Sequence, residues 1–434
     1  MFKMGCVKVD ITPKFPVFLR GYGARNCLSN AIEERLEAGV MVFKQGNKKQ
    51  LLLTVDNTGI NIRQCERIYA DLKAAAGYDA KNTFMCCSHT HFAPGFDHYT
   101  VTFPGGDIPL GQYPAEEKYY KFWIKQIISG IAQAEANLEE VEIEEAVIPV
   151  SSVSFNRRTV VKETGKVETN YTWPTATIDR YDIQPVDTEF NVWRFKAGDA
   201  IKAIVGRFSC HPVTGGQNFY GVSADYPGYF QKYIKEFFGC PGFFILGAAG
   251  DVVPMQRNGT ARKDIGMILA SAVRLAERKF QKASKPKLDI CTVKVPLKLR
   301  VKCDRKKADA LWDAALEKAK GKKEYDENLA WLSYKYDFVK RYPSDDVELP
   351  MRLMRLGTKV LVGMPFEVLT AIGVKLREAC PNAVLTSITG GYEGYLPMSM
   401  EYKRGGYEAT WGPRFNLKAG EQMLAAAIKA VKEF

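Results

Sequence analysis

The amino-acid sequence predicts an α/β protein, with a mixed sheet, helices packed on it and a helical insertion. Three observations carry that expectation. Short β-rich apolar runs alternate with segments whose apolar residues recur at helical spacing. From Ala203 to Phe280 the order strand, helix, strand, helix is that of α/β layers. A composition of 46% hydrophobic and 25% charged residues suits a folded chain with a sizeable core, and the 434 residues are read as one unit, 1–434.

In order, strands are expected at Val7–Ile11, Gly39–Lys44 and Leu51–Asp56, separated by turn residues, then a helix over Arg63–Ala76 and an apolar strand over Thr83–Cys87. Phe92–Tyr113, rich in glycine, proline and aromatics, reads as a long loop over a site. Glu116–Leu138 has helical periodicity, and Val141–Val153 and Ala203–Ser209 read as strands. Helix Tyr226–Phe238, strand Gly242–Leu246 and helix Lys263–Phe280 follow. Strand Leu288–Val301 precedes, and strand Met354–Val362 succeeds, two helices inserted at about 303–342. Helix Val368–Cys380, strand Ala383–Thr389 and helix Leu417–Phe434 close the chain, and no internal repeat is visible.

A formal net charge of +12 favours anionic surroundings, but Lys and Arg are dispersed, so no nucleic-acid partner is expected. No apolar run reaches the ~18 residues of a membrane span, and Met1–Cys6 lacks the apolar core of a secretory leader, so a cytoplasmic location is expected. Ten cysteines without paired CxxC spacing read as thiols, Cys86 and Cys87 among them as small strand residues. Gly247–Asp251 lacks the Lys-Ser/Thr ending of a phosphate-binding loop and reads as a structural turn, and Asp225 reads as a helix cap.

The chain has four histidines, His89, His91, His98 and His211, three of them clustered. On an extended segment, positions i and i+2 share a face, so His89 and His91 can address one site at the end of their strand. His211 also follows an apolar strand and precedes a proline. Glu367 sits just after another strand and completes a His, His, Glu set suited to zinc; a helix-start glutamate is the alternative.

Ser88-His89-Thr90-His91-Phe92-Ala93-Pro94-Gly95 resembles the THTHxGPGG segment of neutral and alkaline ceramidases, and Val9–Pro13 with Gly21-Tyr22 resembles that family's opening. Asn156-Arg157, Cys210-His211-Pro212, Gly250–Pro254 and Pro365–Glu367 are similar to its NR, second-histidine, GDVSP and PGE motifs. Gly391–Tyr395, Glu401-Tyr402 and Tyr407-Glu408 are similar to its YxxY, EEY and YE run. The resemblance implies one Zn2+ held by His89, His211, Glu367 and Tyr395, with His91, Arg157 and Tyr407 around the scissile group. It implies a hydrolase that cleaves an amide of an N-acyl sphingoid or related lipid or small-molecule substrate through a metal-activated water.

Departures from that pattern bear on chemistry. Val253 stands where the family has serine, so no nucleophile comes from that loop. Phe92, Ala93 and Phe366 add bulk beside the expected metal, and no immunoglobulin-like C-terminal domain is expected after the tyrosine motifs. An esterase, lactonase or amidase for a polar or sugar-derived substrate, and an inactive metal-binding homologue, are the alternative expectations.

Overall fold

The computed structural model describes residues 1–23, 25, 27–96, 115–300, 308–319 and 341–434. The expected loop Phe92–Tyr113 and His98 lie mostly or wholly outside this set, as does most of the insertion, whose described helix is Ala308–Ala319.

One local pattern organises the fold three times. A β-hairpin leads into a helix, and the helix returns the chain to a strand parallel to the hairpin's second arm. The first copy is Glu37–Gln45, Lys48–Val55, helix Ile62–Ala76 and strand Thr83–Cys87. The second is Glu189–Ala197, Ala200–Phe208, helix Asp225–Phe238 and strand Gly242–Leu246. The third is Asp346–Leu356, Lys359–Gly363, helix Thr370–Ala379 and strand Ala383–Thr386. Each hairpin turns on two residues, Gly46-Asn47, Gly198-Asp199 and Gly357-Thr358, and each glycine has positive φ (57°, 59° and 63°), as a two-residue hairpin turn demands.

Added strands give three mixed sheets. Phe2–Asp10 and Glu139–Glu140 extend the first, Glu142–Pro149 and Gln281–Lys282 the second, and Ile290–Lys298 the third. Strand alternation sorts side chains to two faces. Phe43, Leu52 and Phe84 from the first sheet, Trp193, Phe195 and Phe243 from the second, and Met354, Leu361 and Val384 from the third form one buried cluster, so the inner faces pack on each other. The opposite faces are covered by helices. Ile68 and Leu72 lie over Leu51 and Leu53, Phe230 over Phe190 and Phe244, and Ile372, Leu376 and Met423 over Leu353, Val360 and Leu385. Each large apolar side chain so buried contributes about 1.5–3 kcal/mol.

Helix Ile62–Ala76 shows how sequence fixes such an element. Asn61 caps its start by accepting from the Gln64 amide, Gly77 ends it at φ 75°, and Cys65, Ile68, Tyr69 and Leu72 form the buried stripe. Three expectations need correction. Met354–Val362 is two antiparallel arms around the Gly357 turn, because glycine at positive φ reverses the chain there. Strand Glu189–Ala197 was not foreseen. The absence of an internal repeat holds for the residues but not for the backbone, since the hairpin, helix and strand pattern is carried by different side chains each time.

Among the described residues no helix is long and apolar enough to cross a membrane.

Candidate metal centre

The site lies where the ends of the parallel strands of all three sheets meet. His89 follows Thr83–Cys87 of the first sheet, His211 follows Ala200–Phe208 of the second, and Glu367 follows Lys359–Gly363 of the third. Cross-sheet backbone bonds lock the junction: the Cys87 amide donates to the Ile388 carbonyl, Ser387 to Leu246, and Gly250 to Val368.

His89 and His91 converge for a different reason than extended-strand alternation. The segment after Cys87 is not a strand, and His89 sits at φ 67°, a left-handed conformation uncommon for a non-glycine residue and concentrated at functional sites. The kink brings the His89 and His91 rings edge to face at 4.8 Å, with Nε2 to Nε2 at 3.3 Å. His211 lies 4.9 Å from His89 and 5.7 Å from His91 between ring centroids. The three imidazoles are buried, and their ligating nitrogens all lie within 4.8 Å of one another, a spacing that could hold a metal ion.

Hydrogen bonding assigns the tautomers of two of these rings. Nδ1 of His89 lies 2.5 Å from the Thr58 carbonyl, and Nδ1 of His211 lies 2.5 Å from that of Ala249. A carbonyl only accepts, so each Nδ1 carries the proton and each Nε2 presents a lone pair. Those lone pairs face Oε2 of Glu367, at 3.3 Å from His89 and 2.8 Å from His211. Two imidazole lone pairs aimed at a carboxylate repel unless a proton or a metal cation lies among them, and a set of two imidazoles and one carboxylate suits a divalent metal. His91 differs, because its Nδ1 is buried without a protein partner.

Electrostatics favours the ligating forms. Burial, with the Arg157 charge adding to it, pushes His211 down to about 4, and burial with the neighbouring imidazoles holds His91 well below its ordinary value. Burial alone would raise Glu367, but His89 and His211 outweigh it and keep the carboxyl well below its usual range.

The tyrosine loop supplies the remaining wall. Glu367–Val368 pairs in parallel with Tyr395–Leu396, and Glu367 and Tyr395 are direct partners in that ladder. Oη of Tyr395 accepts from Arg157 Nη2 at 2.9 Å. Tyr392, which sequence reasoning quoted but gave no role, donates its hydroxyl to Glu367 Oε1 at 2.7 Å. Arg157 also donates to the Gly250 carbonyl at 3.0 Å and to Glu408 Oε1 at 2.6 Å, while Arg158 takes the other Glu408 oxygen at 3.0 Å. Glu393 is buried against Arg341 at 2.9 Å and Arg414 at 3.6 Å, which fastens the loop between Gly390 and Leu396. Tyr407 is 41% exposed, with its ring 5.6 Å from Tyr395, at the rim of this wall.

Neighbouring acids serve the framework. Asp251 accepts from Thr370 and Asn156, so the Gly247–Asp251 turn is structural as expected. Asp225 starts its helix at φ 57° and binds Thr214 and the Tyr226 amide, which corrects its reading as an ordinary cap: it ties the helix to the loop after His211. Val253 is a buried strand residue against Phe155 and Val213. Burial pushes the Cys86 thiol up to about 12, in keeping with a small core residue.

Fold and site together define a mixed α/β protein whose three sheets converge on a buried imidazole and carboxylate cluster. Residues 2–237 match the model of the neutral/alkaline non-lysosomal ceramidase family, N-terminal region, and with more than half of its residues matched the chain belongs to that family. Among solved structures it is similar to the neutral ceramidase of Pseudomonas aeruginosa, with a TM-score of 0.76 at 18% identity over 100% of this chain and 74% of that one. It is also similar to a structure described as a ceramidase complexed with C2, with a TM-score of 0.72 at 18% identity over 99% of this chain and 74% of that one. At this identity the likeness is one of fold. No curated protein matches the chain. Family and fold support a ceramidase-like hydrolase.

Proposed function

We propose that the chain is a zinc-dependent amidohydrolase that cleaves an N-acyl sphingoid or related N-acyl substrate. The observation that carries this reading is that Nε2 of His89 and Nε2 of His211 both aim at one oxygen of Glu367, the three residues coming from three separate sheets. His89, His211, Glu367 and Tyr395 would hold the ion, and Tyr395 is supported by its ladder partnership with Glu367. When bound, Zn2+ supplies a Lewis acid for the amide carbonyl and lowers the pKa of water.

The chain's own residues divide the remaining work. His91 is the imidazole whose Nδ1 is not pinned by a carbonyl, so its tautomer is free to donate or accept a hydrogen bond at Nε2 beside the cluster. Arg157, fixed by Glu408 and the Gly250 carbonyl, directs Nη2 at the Tyr395 hydroxyl and steadies negative charge there. Tyr407, at the rim, offers its hydroxyl to the leaving group. Val253 leaves no serine on the neighbouring loop, which favours attack by water over a protein nucleophile.

The test is metal analysis of purified protein coupled to hydrolysis of N-acyl lipids, polar amides and esters. One zinc per chain, loss of turnover on chelation, and recovery on zinc addition are expected. Full turnover after exhaustive chelation would overturn the reading.

A further inference from the structure

Among the cations around the site, Arg257 is distinguished by having, among the described residues, neither a counter-charge nor an acceptor for its buried Nε. Arg157 and Arg158 share Glu408, and Arg158 also takes Glu401. Arg25 spends its donors on the carbonyls of Arg20, His91 and Phe219. Arg257, in the turn after strand Val252–Pro254, makes no ion pair among the described residues, and its Nε is buried without a hydrogen-bond partner. The charges that bear on it are the Tyr22 phenol, Arg157 and the Cys210 thiol, with no carboxylate among them.

The buried Tyr22 hydroxyl is the group nearest to pairing with it, yet makes no hydrogen bond of full geometry among the described residues. The Tyr22 ring meets His91 edge to face at 4.9 Å, so these two unsatisfied groups stand one residue away from the imidazole cluster. Arg257 is itself only half-buried, and Tyr171, 46% exposed and 5.5 Å from the Arg157 guanidinium, also feels the Arg257 charge. The nearby carboxylates are already engaged: Glu408 by two arginines, Asp251 by Thr370 and Asn156, Asp225 by Thr214, and Glu367 by the imidazoles. A guanidinium stays charged at any physiological pH, and one set in a largely covered position without an acceptor is costly until an anion completes it.

We propose that Arg257 and the Tyr22 hydroxyl form a receptor for an anionic oxygen group, carboxylate or phosphate, carried by the substrate next to its scissile bond. This rests on the hydrolase reading and sharpens it: the substrate class is an acidic N-acyl compound, and the fork of the guanidinium with the phenolic O–H supplies three converging donors.

The test is equilibrium calorimetry on the zinc-loaded full chain, so it reads binding whether or not the protein turns over. The probes are the keto isostere of N-octanoylglycine, with methylene in place of the amide nitrogen, its neutral primary amide, and the matching phosphonate. Wild type is expected to bind one or both acids at least about tenfold tighter than the amide, the scale of a charge-assisted hydrogen bond. Preference for the carboxylate or the phosphonate identifies which anion is natural. Arg257→Gln is expected to abolish the preference and Arg257→Lys to keep part of it. Equal binding of acid and amide by wild type, or a preference that survives in Arg257→Gln, overturns the proposal. Absence of turnover with the preference intact would fault the hydrolase reading and not this one.

Discussion

Glu367 and Tyr395 are direct partners in a two-residue parallel ladder, and the Tyr395 hydroxyl accepts from Arg157 at 2.9 Å. A carboxylate and a phenol held side by side in this way differ from Tyr392, whose hydroxyl donates to the far oxygen of Glu367. On the proposed reading the first would share a cation with Glu367, whereas the second orients Glu367.

Tyr395→Phe is therefore expected to weaken zinc binding more than Tyr392→Phe, for which a loss of about 10–100-fold is the scale of an orienting partner. Competition with a zinc-sensing dye measures both. If Tyr395→Phe bound zinc as tightly as wild type, Tyr395 would leave the ligand set.

Glu408 is fully buried between Arg157 and Arg158, at 2.6 and 3.0 Å. Glu408→Gln leaves two guanidinium groups in the interior with one carboxylate fewer, a change expected to cost about 3–5 kcal/mol. Urea unfolding read by tryptophan fluorescence tests this, and a loss below about 1 kcal/mol would contradict it.

Gly21 has φ 100°, and a Cβ placed there would lie 2.3 Å from Cγ of His91. Gly21→Ala must displace the His91 ring while leaving His89, His211 and Glu367 untouched. Zinc content is expected to persist and turnover to fall by about a hundredfold, the usual effect of misplacing a reacting group by about 1 Å. Loss of zinc in parallel with activity would instead make His91 part of the metal's grip.

Burial pushes Asp56 up to about 6, against the Lys8 charge and the Glu37 amide. Its native pKa thus exceeds the unfolded value of about 3.9, so the proton is bound more tightly in the folded chain. The contribution to stability is complete below about pH 4 and is lost as pH rises through about 6. Asp56→Asn mimics the protonated acid at every pH, and its stability relative to wild type is expected to climb by about 3 kcal/mol between pH 4 and pH 7. Parallel stability profiles for the two proteins would rule this out.

The α/β class and most helices were legible because buried stripes such as Ile68, Tyr69 and Leu72 obey a helical period whatever they pack against. Strand Glu189–Ala197 was not, because charged Glu189, Arg194 and Lys196 interrupt its apolar residues; Arg194 is accommodated by Glu144 and Glu277. Gly198-Asp199 and Gly357-Thr358 were the available hairpin signals, and both went unread. At the site, the places of His89, His211 and Glu367 after strands left other readings open, and it was the family resemblance that named them as a set. What no single-sequence pattern carries is a left-handed His89, the carbonyls of Thr58 and Ala249 that choose the tautomers, or the attachment of Tyr392 to Glu367. Apart from the backbone twist at His89, each of these is a contact between segments far apart in the chain.

The three-sheet origin of His89, His211 and Glu367 also constrains the order of events during synthesis. Two imidazoles leave the ribosome long before the carboxylate and the tyrosine loop exist, so a nascent chain offers a cation only half a cradle. Were the cluster to hold an ion, complete capture would wait until the third sheet docks, and the ion would act as a seal on an assembled site and not as a template for building it.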